Sequence, residues 1–281
     1  MNFGKLYLVP TPIGNLKDIT LRALEVLENV DLVAAEDTRQ SLKLLNHFNI
    51  KKTLISYHKH NEQGKSTDLI EKIKDGKSIA LISDAGTPGI SDPGSIIVLK
   101  CIDENIEFEV LPGATAITTA LVYSGLDSSK FIFRGFLPRE SKYKKIIIEE
   151  LRDRKETLIF YESPHRIRET LEFFRNNLGN RRISICRELT KLHEQILRYS
   201  LDDAIEYYRE KDIKGEFVLV IEGKREEEIL EEQKAKWIDV SIEDHIKNYV
   251  SEGLSKKEAI KKVAKDRNLS KSEIYKYSIG L

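Results

Sequence analysis

Adjacent acidic and basic residues in the amino-terminal part of the sequence are candidates for a catalytic site. Glu36 and Asp37 are adjacent in the stretch AAEDTR, and Arg39 follows two positions later. A carboxylate can accept a proton from a reacting hydroxyl group, and a guanidinium beside it suits ribose and phosphate recognition. Asp37 also fits a structural role, because an aspartate before a helix accepts bonds from the free N–H groups. The stretch predicts a functional pair, with helix capping as the alternative for Asp37.

A second polar stretch, SYHKHNE, carries two histidines. His58 and His60 lie on one side of an extended segment and are followed by Asn61 and Glu62. Such spacing could hold a metal ion, but a third ligand is not evident nearby in the sequence. Contact with a substrate is therefore the preferred interpretation.

A third stretch, FYESPHR, combines a helix start with possible ligand contacts. Ser163 and Pro164 predict the first residues of a helix, with serine as the cap and proline at the first position. The positive end of such a helix attracts anions, so His165 and Arg166 could meet a phosphate group there.

Glycine and proline dominate three loops that each follow a predicted strand: VPTPIGN, SDAGTPGISDPG and LPGATA. Loops at the carboxyl ends of parallel strands bind ligands in α/β proteins, largely through backbone N–H groups. Pro10, Pro12 and Pro88 stiffen these loops. Neither GxxxxGK[ST] nor a GxGxxG after the first strand is present, which excludes P-loop and Rossmann nucleotide sites. The loops predict a preformed site for a different small ligand.

Alternating strand and helix patterns must position these residues. Residues 1–122 predict an α/β domain with a mainly parallel sheet, because short β-rich runs alternate with amphipathic helices. Residues 123–224, which begin with a polar linker at 123–130, predict a second α/β domain with a mixed sheet. Residues 225–281 predict a small helical tail with helix-turn-helix-like spacing around LSKKEA and LSKSEI, or alternatively a plain helical hairpin.

Composition sets limits on the class of protein. The sequence has 46 basic and 46 acidic residues and a formal net charge of zero, so no global basic field points to nucleic acid. From Lys247 onward, however, nine basic and four acidic residues leave a surplus of positive charge. The sequence contains no run of about 18 apolar residues and no signal-peptide pattern, so a cytoplasmic location without a membrane partner is expected. Cys101 and Cys186 are predicted to be buried thiols.

A family resemblance rests on stretches that occur in this order: VPTPIGNLKDIT, AAEDTR, SYHKHNE, LISDAGTPGISDPG, LPGATA, FYESPHR, RELTKLHE and GEFVLVIEG. They resemble the tetrapyrrole methylase superfamily, and within it the methyltransferases of small-subunit ribosomal RNA, over residues 6–223. The resemblance implies a two-domain class III methyltransferase fold with S-adenosylmethionine between the domains. It also implies a homodimer that methylates the ribose 2'-hydroxyl of a cytidine in the decoding centre of 16S rRNA, in the small ribosomal subunit.

The same resemblance assigns roles to individual residues. Glu36 and Asp37 are the predicted catalytic pair, although His58 and His60 stay open as alternatives for the general base. The implied contacts of S-adenosylmethionine are Ile13, Gly86, Thr87, Ile90, Ala114, Thr115, Tyr161, Gly215 and Phe217. The implied substrate contacts are Arg39, His58, His60, Asn61, Glu62, Glu162, His165 and Arg166, which Arg187, Glu188, Thr190 and Lys191 could join.

The sequence departs from the superfamily pattern in two loops, and two rival functions stay open. Prolines occupy the first loop, which is glycine-rich in tetrapyrrole methylases, and Gly86-Thr87-Pro88 replaces their Gly-Asp-Pro. One rival is a methyltransferase for a small corrinoid or tetrapyrrole precursor. The other is a regulator that reads nucleic acid with its tail, but Ser272, Glu273 and Tyr275 do not form a base-reading set. AAEDTR, FYESPHR and the basic tail favour RNA.

Overall fold

The computed structural model describes residues 3–229, 237 and 239–279. Its amino-terminal sheet contains β1 Leu6–Leu8, β2 Leu32–Ala35, β3 Thr53–Ser56, β4 Ile79–Ile82 and β5 Phe108–Val110. All pairings are parallel, in the spatial order β3-β2-β4-β1-β5. β2 and β4 are buried along their whole length, as continuous apolar sequences are in central parallel strands. The predicted parallel sheet is confirmed.

Helices connect these strands and bury both faces of the sheet. They are α1 Leu21–Asn29, α2 Thr38–His47, α3 Glu62–Lys74, α4 Ser95–Asp103 and α5 Ala116–Ser124, with a 3-10 turn at Leu16–Asp18. Successive residues of a strand face opposite sides, so Leu32 and Val33 enter different apolar clusters. Because parallel strands end at the same edge, the loops that precede α2, α4 and α5 meet there.

The second sheet is mixed, as predicted. Its strands are β6 Phe131–Phe136, β7 Thr157–Glu162, β8 Arg182–Arg187, β9 Gln195–Ser200 and β10 Phe217–Ile221, in the order β6-β7-β10-β8-β9. β6 and β7 are parallel, whereas β10 runs antiparallel to β7 and β8, and β8 antiparallel to β9. The associated helices are α6 Ser141–Leu151, α7 Ile167–Leu178 and α8 Leu201–Tyr208.

Two local features differ from the sequence pattern. α8 was not predicted, although Ser200 caps it by accepting a bond from the Asp203 N–H. Ser163 is not the cap of α7, so that prediction is wrong. The helix begins at Ile167, because a turn closed by the Arg166 N–H and the Ser163 carbonyl intervenes.

α5 joins the two sheets. Its residues Ile117 and Ala120 pack with Cys186 and Val218 of the second sheet in one apolar cluster. Both cysteines are buried, as predicted, and burial raises the pKa of each thiol to about 11. The packing of α5 brings the carboxyl edge of the first sheet against the ends of β7, β8 and β10.

The tail contains α9 Ile242–Ser251, α10 Lys256–Asp266 and α11 Lys271–Lys276, which share a small core around Val263. α10 and α11 each begin with a capping box, Ser255 with Glu258 and Ser270 with Glu273, which satisfies free N–H groups reciprocally. Predictions for residues 1–2, 230–236, 238 and 280–281 lie outside the described residues. Within the described part of the chain, no helix is long and apolar enough to span a membrane.

Candidate functional site

A cavity of about 480 Å³ lies where the carboxyl edge of the first sheet meets the second sheet. This volume is in the range of small-molecule sites. We call it the donor cavity. The predicted residues that line it are Ile13, Glu36, Gly86, Thr87, Ile90, Thr115, Tyr161, Glu162, Lys191 and Phe217.

Three acidic residues line the donor cavity from the first sheet: Glu36, Asp84 and Asp92, hereafter the acid triplet. The register of the sheet brings two of them together, because Ala35 of β2 pairs with Ile82 of β4. Beyond these strand ends, the Asp84 backbone N–H lies close enough to the Glu36 carboxylate to favour its ionised form. Within the described residues, no lysine, arginine or histidine forms an ion pair with the acid triplet.

Two members of the acid triplet, Glu36 and Asp92, have raised pKa values. Burial, reinforced by the charges of Glu36 and Asp84, raises the pKa of Asp92 to about 7. Burial and the charge of Asp84 also raise the pKa of Glu36, against the opposing effects of the Asp84 N–H and His58. Both shifts follow from carboxylates that share a partly dry site without an ion-pair partner among the described residues.

Asp37 and Arg39 do not line the donor cavity. The Arg39 guanidinium donates to both carboxylate oxygens of Asp37, at 3.1 and 2.8 Å, and these bonds hold the pKa of Asp37 at about 2. The Asp37 carboxylate also accepts the Arg39 N–H at 2.9 Å and caps α2. The Asp37 N–H donates to Asp84 at 3.0 Å, which links the pair to the acid triplet.

The histidine stretch lies beside Glu36, outside the cavity lining. The His58 backbone N–H donates to Asn61 Oδ1 at 2.8 Å, and Asn61 Nδ2 donates to the Ser56 carbonyl at 3.2 Å. The rings of His58 and His60 meet edge to face, with 6.0 Å between their centroids. His58 Nδ1 and Glu62 Oε2 are buried without a partner among the described residues. These polar atoms are available to a ligand.

Hydrogen bonds hold the bare loops in shape. Thr11 and Gly86 exchange two backbone bonds, at 2.9 and 3.0 Å, and the Thr11 hydroxyl donates to the Ser83 carbonyl at 3.0 Å. Gly86 has a φ of +83°, a left-handed conformation that disfavours a side chain. The Thr87 hydroxyl donates to the Ala114 carbonyl at 3.3 Å, so Ala114 supports the cavity without lining it. The stiff loop anticipated from the prolines is therefore crosslinked by its own backbone.

The second sheet contributes an aromatic wall. Tyr161 contacts Phe133 and Phe136, with ring centroids 5.0 and 5.6 Å away. Burial raises the pKa of Tyr161 to about 12, and the charge of Asp92 across the cavity adds to this. Phe217 is buried yet forms part of the wall.

Acidic residues at the cavity end of the second sheet are bonded to neighbouring groups. The Glu162 side chain is 0% exposed and accepts from the Ser163 N–H at 2.8 Å and from the Thr170 hydroxyl at 2.6 Å. Lys191 donates to Glu188 and Glu216 at 2.9 and 2.8 Å.

The remaining predicted residues lie near these bonds. Gly215 does not line the cavity, and a Cβ there would come within 2.6 Å of Glu188 Cγ. His165 is exposed, whereas Arg166 is half-buried and donates to the Pro138 carbonyl at 3.3 Å. Both lie outside the cavity lining.

Sequence reasoning did not identify several lining residues as functional. Asp84 and Asp92 occur in the stretch SDAGTPGISDPG, which was interpreted only through its glycines and prolines. Two acids in a loop at a ligand-binding sheet edge are a signal that could have found them. The other unpredicted lining residues are Ala85, Ala116, Phe136, Ser163, Pro164, Cys186, Leu189, Glu216 and Val218.

Comparison with known proteins shows extensive similarity. The family of tetrapyrrole (corrin/porphyrin) methylases matches residues 5–205. A protein named ribosomal RNA small subunit methyltransferase I from Halalkalibacterium halodurans is 50% identical over 97% of this chain and 93% of its own length. The protein of the same name from Bacillus subtilis is 48% identical, over 98% of this chain and 94% of its own.

Solved structures share the fold at low sequence identity. Diphthine synthase has a TM-score of 0.64 and 18% identity, with 79% of this chain and 90% of that chain covered. Cobalt precorrin-4 methyltransferase has a TM-score of 0.59 and 18% identity, with 78% and 94% covered. These likenesses confirm the tetrapyrrole-methylase-like fold.

Proposed function

Because the chain belongs to the tetrapyrrole methylase family, we propose that it is a methyltransferase that acts on small-subunit ribosomal RNA. The observation that carries the proposal is the 50% identity, over nearly the full length of both chains, with a protein of that name. More finely, we propose as its target the ribose 2'-hydroxyl of a cytidine in the decoding centre of 16S rRNA. A ribosomal substrate implies a cytoplasmic location, which we also propose.

The donor cavity fits the methyl donor of the family. S-adenosylmethionine is that donor, and when bound it supplies a methyl group on a positively charged sulfur. Ile13, Ile90 and Phe136 offer an apolar wall for such a ligand, and the acid triplet offers negative charge that forms no ion pair within the described residues. Gly86 and the stiff loop around it would hold the ligand mainly through backbone groups.

Glu36 is the group that we propose to accept the hydroxyl proton. It lines the donor cavity, and its raised pKa makes it a better base than Asp37, whose pKa Arg39 holds at about 2. Asp37 would instead keep Arg39 in place and cap α2. Alignment of the reacting groups supplies on the order of 7 to 11 kcal/mol, so one weak base beside a well-shaped cavity is sufficient.

Substrate contacts surround this acid. The side chain of Arg39 is 87% exposed, and His165 is exposed near the amino end of α7, so both can reach a phosphate. We propose further contacts from His58, His60, Asn61, Glu62 and Arg166. Glu162, whose oxygens are already bonded, would orient the turn that carries His165.

The tail would add non-specific attraction for RNA. Its basic surplus lies on helices that pack around a small apolar core of their own. Deletion of the tail after Trp237 should weaken RNA binding and flatten its salt dependence, because fewer counterions are released. An unchanged salt slope would contradict this role.

We also propose a homodimer. α5 leaves Val122 78% exposed and Tyr123 41% exposed, and α4 leaves Leu99 and Ile102 more than half exposed. Apolar side chains of this size are candidates for burial against a second copy. Light scattering after gel filtration would measure the mass in solution.

One experiment tests the reaction. The protein would be incubated with radiolabelled S-adenosylmethionine and either unmethylated small ribosomal subunits or corrinoid precursors. Label in 16S rRNA, mapped by mass spectrometry to the 2'-oxygen of a cytidine, is the expected result. Label in the corrinoid alone would replace the proposal with the small-molecule rival, and label on a base would refute the 2'-O assignment.

A further inference from the structure

A second cavity, of about 440 Å³, lies between the first loop and α2. Pro12, Leu16, Gln40, Ser41, Lys43 and Leu44 line it, and we call it the α2 cavity. It shares a wall with the donor cavity, because Ile13, Asp84, Ala85, Lys191 and Glu216 line both. A ligand in the α2 cavity would therefore lie next to a ligand in the donor cavity.

Ser41 is the observation that points to a ligand. The residue is 3% exposed, and its hydroxyl group is buried without a hydrogen-bond partner in the described part of the chain. Its backbone N–H donates normally to the Asp37 carbonyl at 3.0 Å, so the local helix is regular. An unpartnered buried hydroxyl is costly in a folded protein, and a bound molecule that bonds to it removes the cost.

The other lining groups describe the chemistry of that molecule. Pro12, Leu16 and Leu44 offer an apolar surface, and Gln40 offers an amide. Lys191 is occupied by Glu188 and Glu216, whereas Lys43 has a neutral partner, the Gln40 side-chain oxygen at 3.3 Å. An apolar face, hydrogen-bonding groups and one available ammonium match a base, a sugar and a phosphate.

We propose that the α2 cavity binds the ribonucleotide that receives the methyl group, with its ribose toward the wall shared with the donor cavity. The proposal rests on the proposed function and adds the place where the substrate nucleotide sits. A nucleotide that enters this cavity must leave its stack, as in other enzymes that act on a single nucleotide. The Ser41 hydroxyl and the Gln40 amide then bond to the nucleotide, and Lys43 faces a phosphate.

Ser41→Ala gives a sharp test because Ser66 provides a matched control. Ser66 is also a buried helical serine, but its hydroxyl bonds to the Tyr57 hydroxyl at 2.9 Å. Ser41→Ala should keep or raise the melting temperature and weaken binding of unmethylated small ribosomal subunits about threefold to tenfold, which is the value of one hydrogen bond. Ser66→Ala should lower the melting temperature and leave subunit binding unchanged.

Lys43→Ala extends the test to the phosphate contact. It should weaken subunit binding and reduce its salt dependence, whereas Lys72→Ala, which removes an exposed lysine of α3, should do neither. Binding would be measured on filters with the full chain, and affinity for S-adenosylmethionine by calorimetry, which should stay within about twofold for both α2 variants.

The outcomes separate this proposal from the proposed function. Wild-type subunit affinity in both Ser41→Ala and Lys43→Ala would overturn the α2 cavity as the nucleotide site, even if methylation is observed. Loss of donor affinity in Ser41→Ala with unchanged subunit binding would also overturn it. If the wild-type protein binds subunits but transfers no methyl group, the proposed function fails, and weaker binding by the α2 variants still supports the cavity as a nucleotide site.

Discussion

Acidic residues on the two sides of the donor cavity differ in their partners. On the side of the first sheet, Glu36, Asp84 and Asp92 have no ion-pair partner among the described residues. On the side of the second sheet, Glu162 is bonded to Ser163 and Thr170, and Glu216 is paired with Lys191. Both groups line one cavity, and the bonded acids range from the Glu162 side chain, 0% exposed, to that of Glu216, 82% exposed.

The side with unpaired acids is the one suited to a positively charged ligand. Unpaired carboxylates in a partly dry cavity repel one another, and a cation that enters relieves this repulsion. The bonded acids of the second sheet are already compensated and serve to hold the wall in place. The first side would therefore govern chemistry and donor binding, and the second side would govern stability.

Among these variants, Glu36→Gln should have the largest effect, which is a loss of methylation rate. The amide keeps the size of the side chain but cannot accept a proton, so we expect the single-turnover rate at saturating donor to fall about 100-fold or more. Asp37→Asn should cost less, because Arg39 already holds the pKa of Asp37 at about 2. Quenched-flow methylation of small subunits measures both rates, and a wild-type rate in Glu36→Gln would remove it as the base.

Much of the first side was predictable from sequence. The carboxyl ends of parallel strands lie at one edge of a sheet, and this does not depend on the details of packing. AAEDTR and the glycine- and proline-rich loops, including Ile13, were therefore expected near one another, as they are in the structure. The position of Asp92 in the cavity lining was not predictable. It depends on a loop in which Gly86, Gly89 and Ser91 all adopt positive φ, and no propensity argument predicts that path.

The second side was less predictable because its bonds are tertiary. Glu162 was expected to contact substrate, yet its carboxylate accepts a bond from Thr170, a residue of α7 that is eight positions away. Gly215 was expected to touch the donor, yet it lies against Glu188, the residue that follows β8. Antiparallel pairing of β8 with β10 brings Gly215 and Glu188 together only after the sheet has formed.

Glu162→Gln should lower the stability of the protein. One carboxylate oxygen becomes an amide NH₂ that faces a donor, so a buried acceptor is lost and the free energy of unfolding should fall by about 1–3 kcal/mol. Asp92→Asn, on the opposite side, should keep or increase stability because it removes a half-buried charge that has no ion-pair partner among the described residues. Urea unfolding at pH 8 measures both variants, and equal losses would erase the distinction between the two sides.

Gly86→Val should separate loop shape from side-chain chemistry. A branched side chain at a φ of +83° costs about 1–2 kcal/mol, which the loop can relieve only by moving away from Thr11. We expect donor affinity to fall about tenfold by calorimetry. Gly125→Val is the matched control, since Gly125 has a φ of +68° at the end of α5 and open space around it. Unchanged donor affinity in Gly86→Val would contradict a backbone-shaped site.

Asp92 should produce the smallest effect, visible as a pH dependence. Its pKa is raised to about 7, so the carboxylate is largely protonated below pH 7 and ionised above it. A cationic donor favours the ionised form, and binding should therefore tighten as the pH rises through about 7 and then level off.

Charge attraction at contact distance in water is worth about 1 kcal/mol, which corresponds to about a fivefold gain in donor affinity across this pH range. The demethylated product has a neutral sulfur, so its affinity should change less over the same range. Asp92→Asn should make the two pH profiles parallel in calorimetry. If the wild-type profiles for donor and product already coincide, the acid triplet does not sense the charge on sulfur, and the contrast between the two sides of the cavity is one of packing alone.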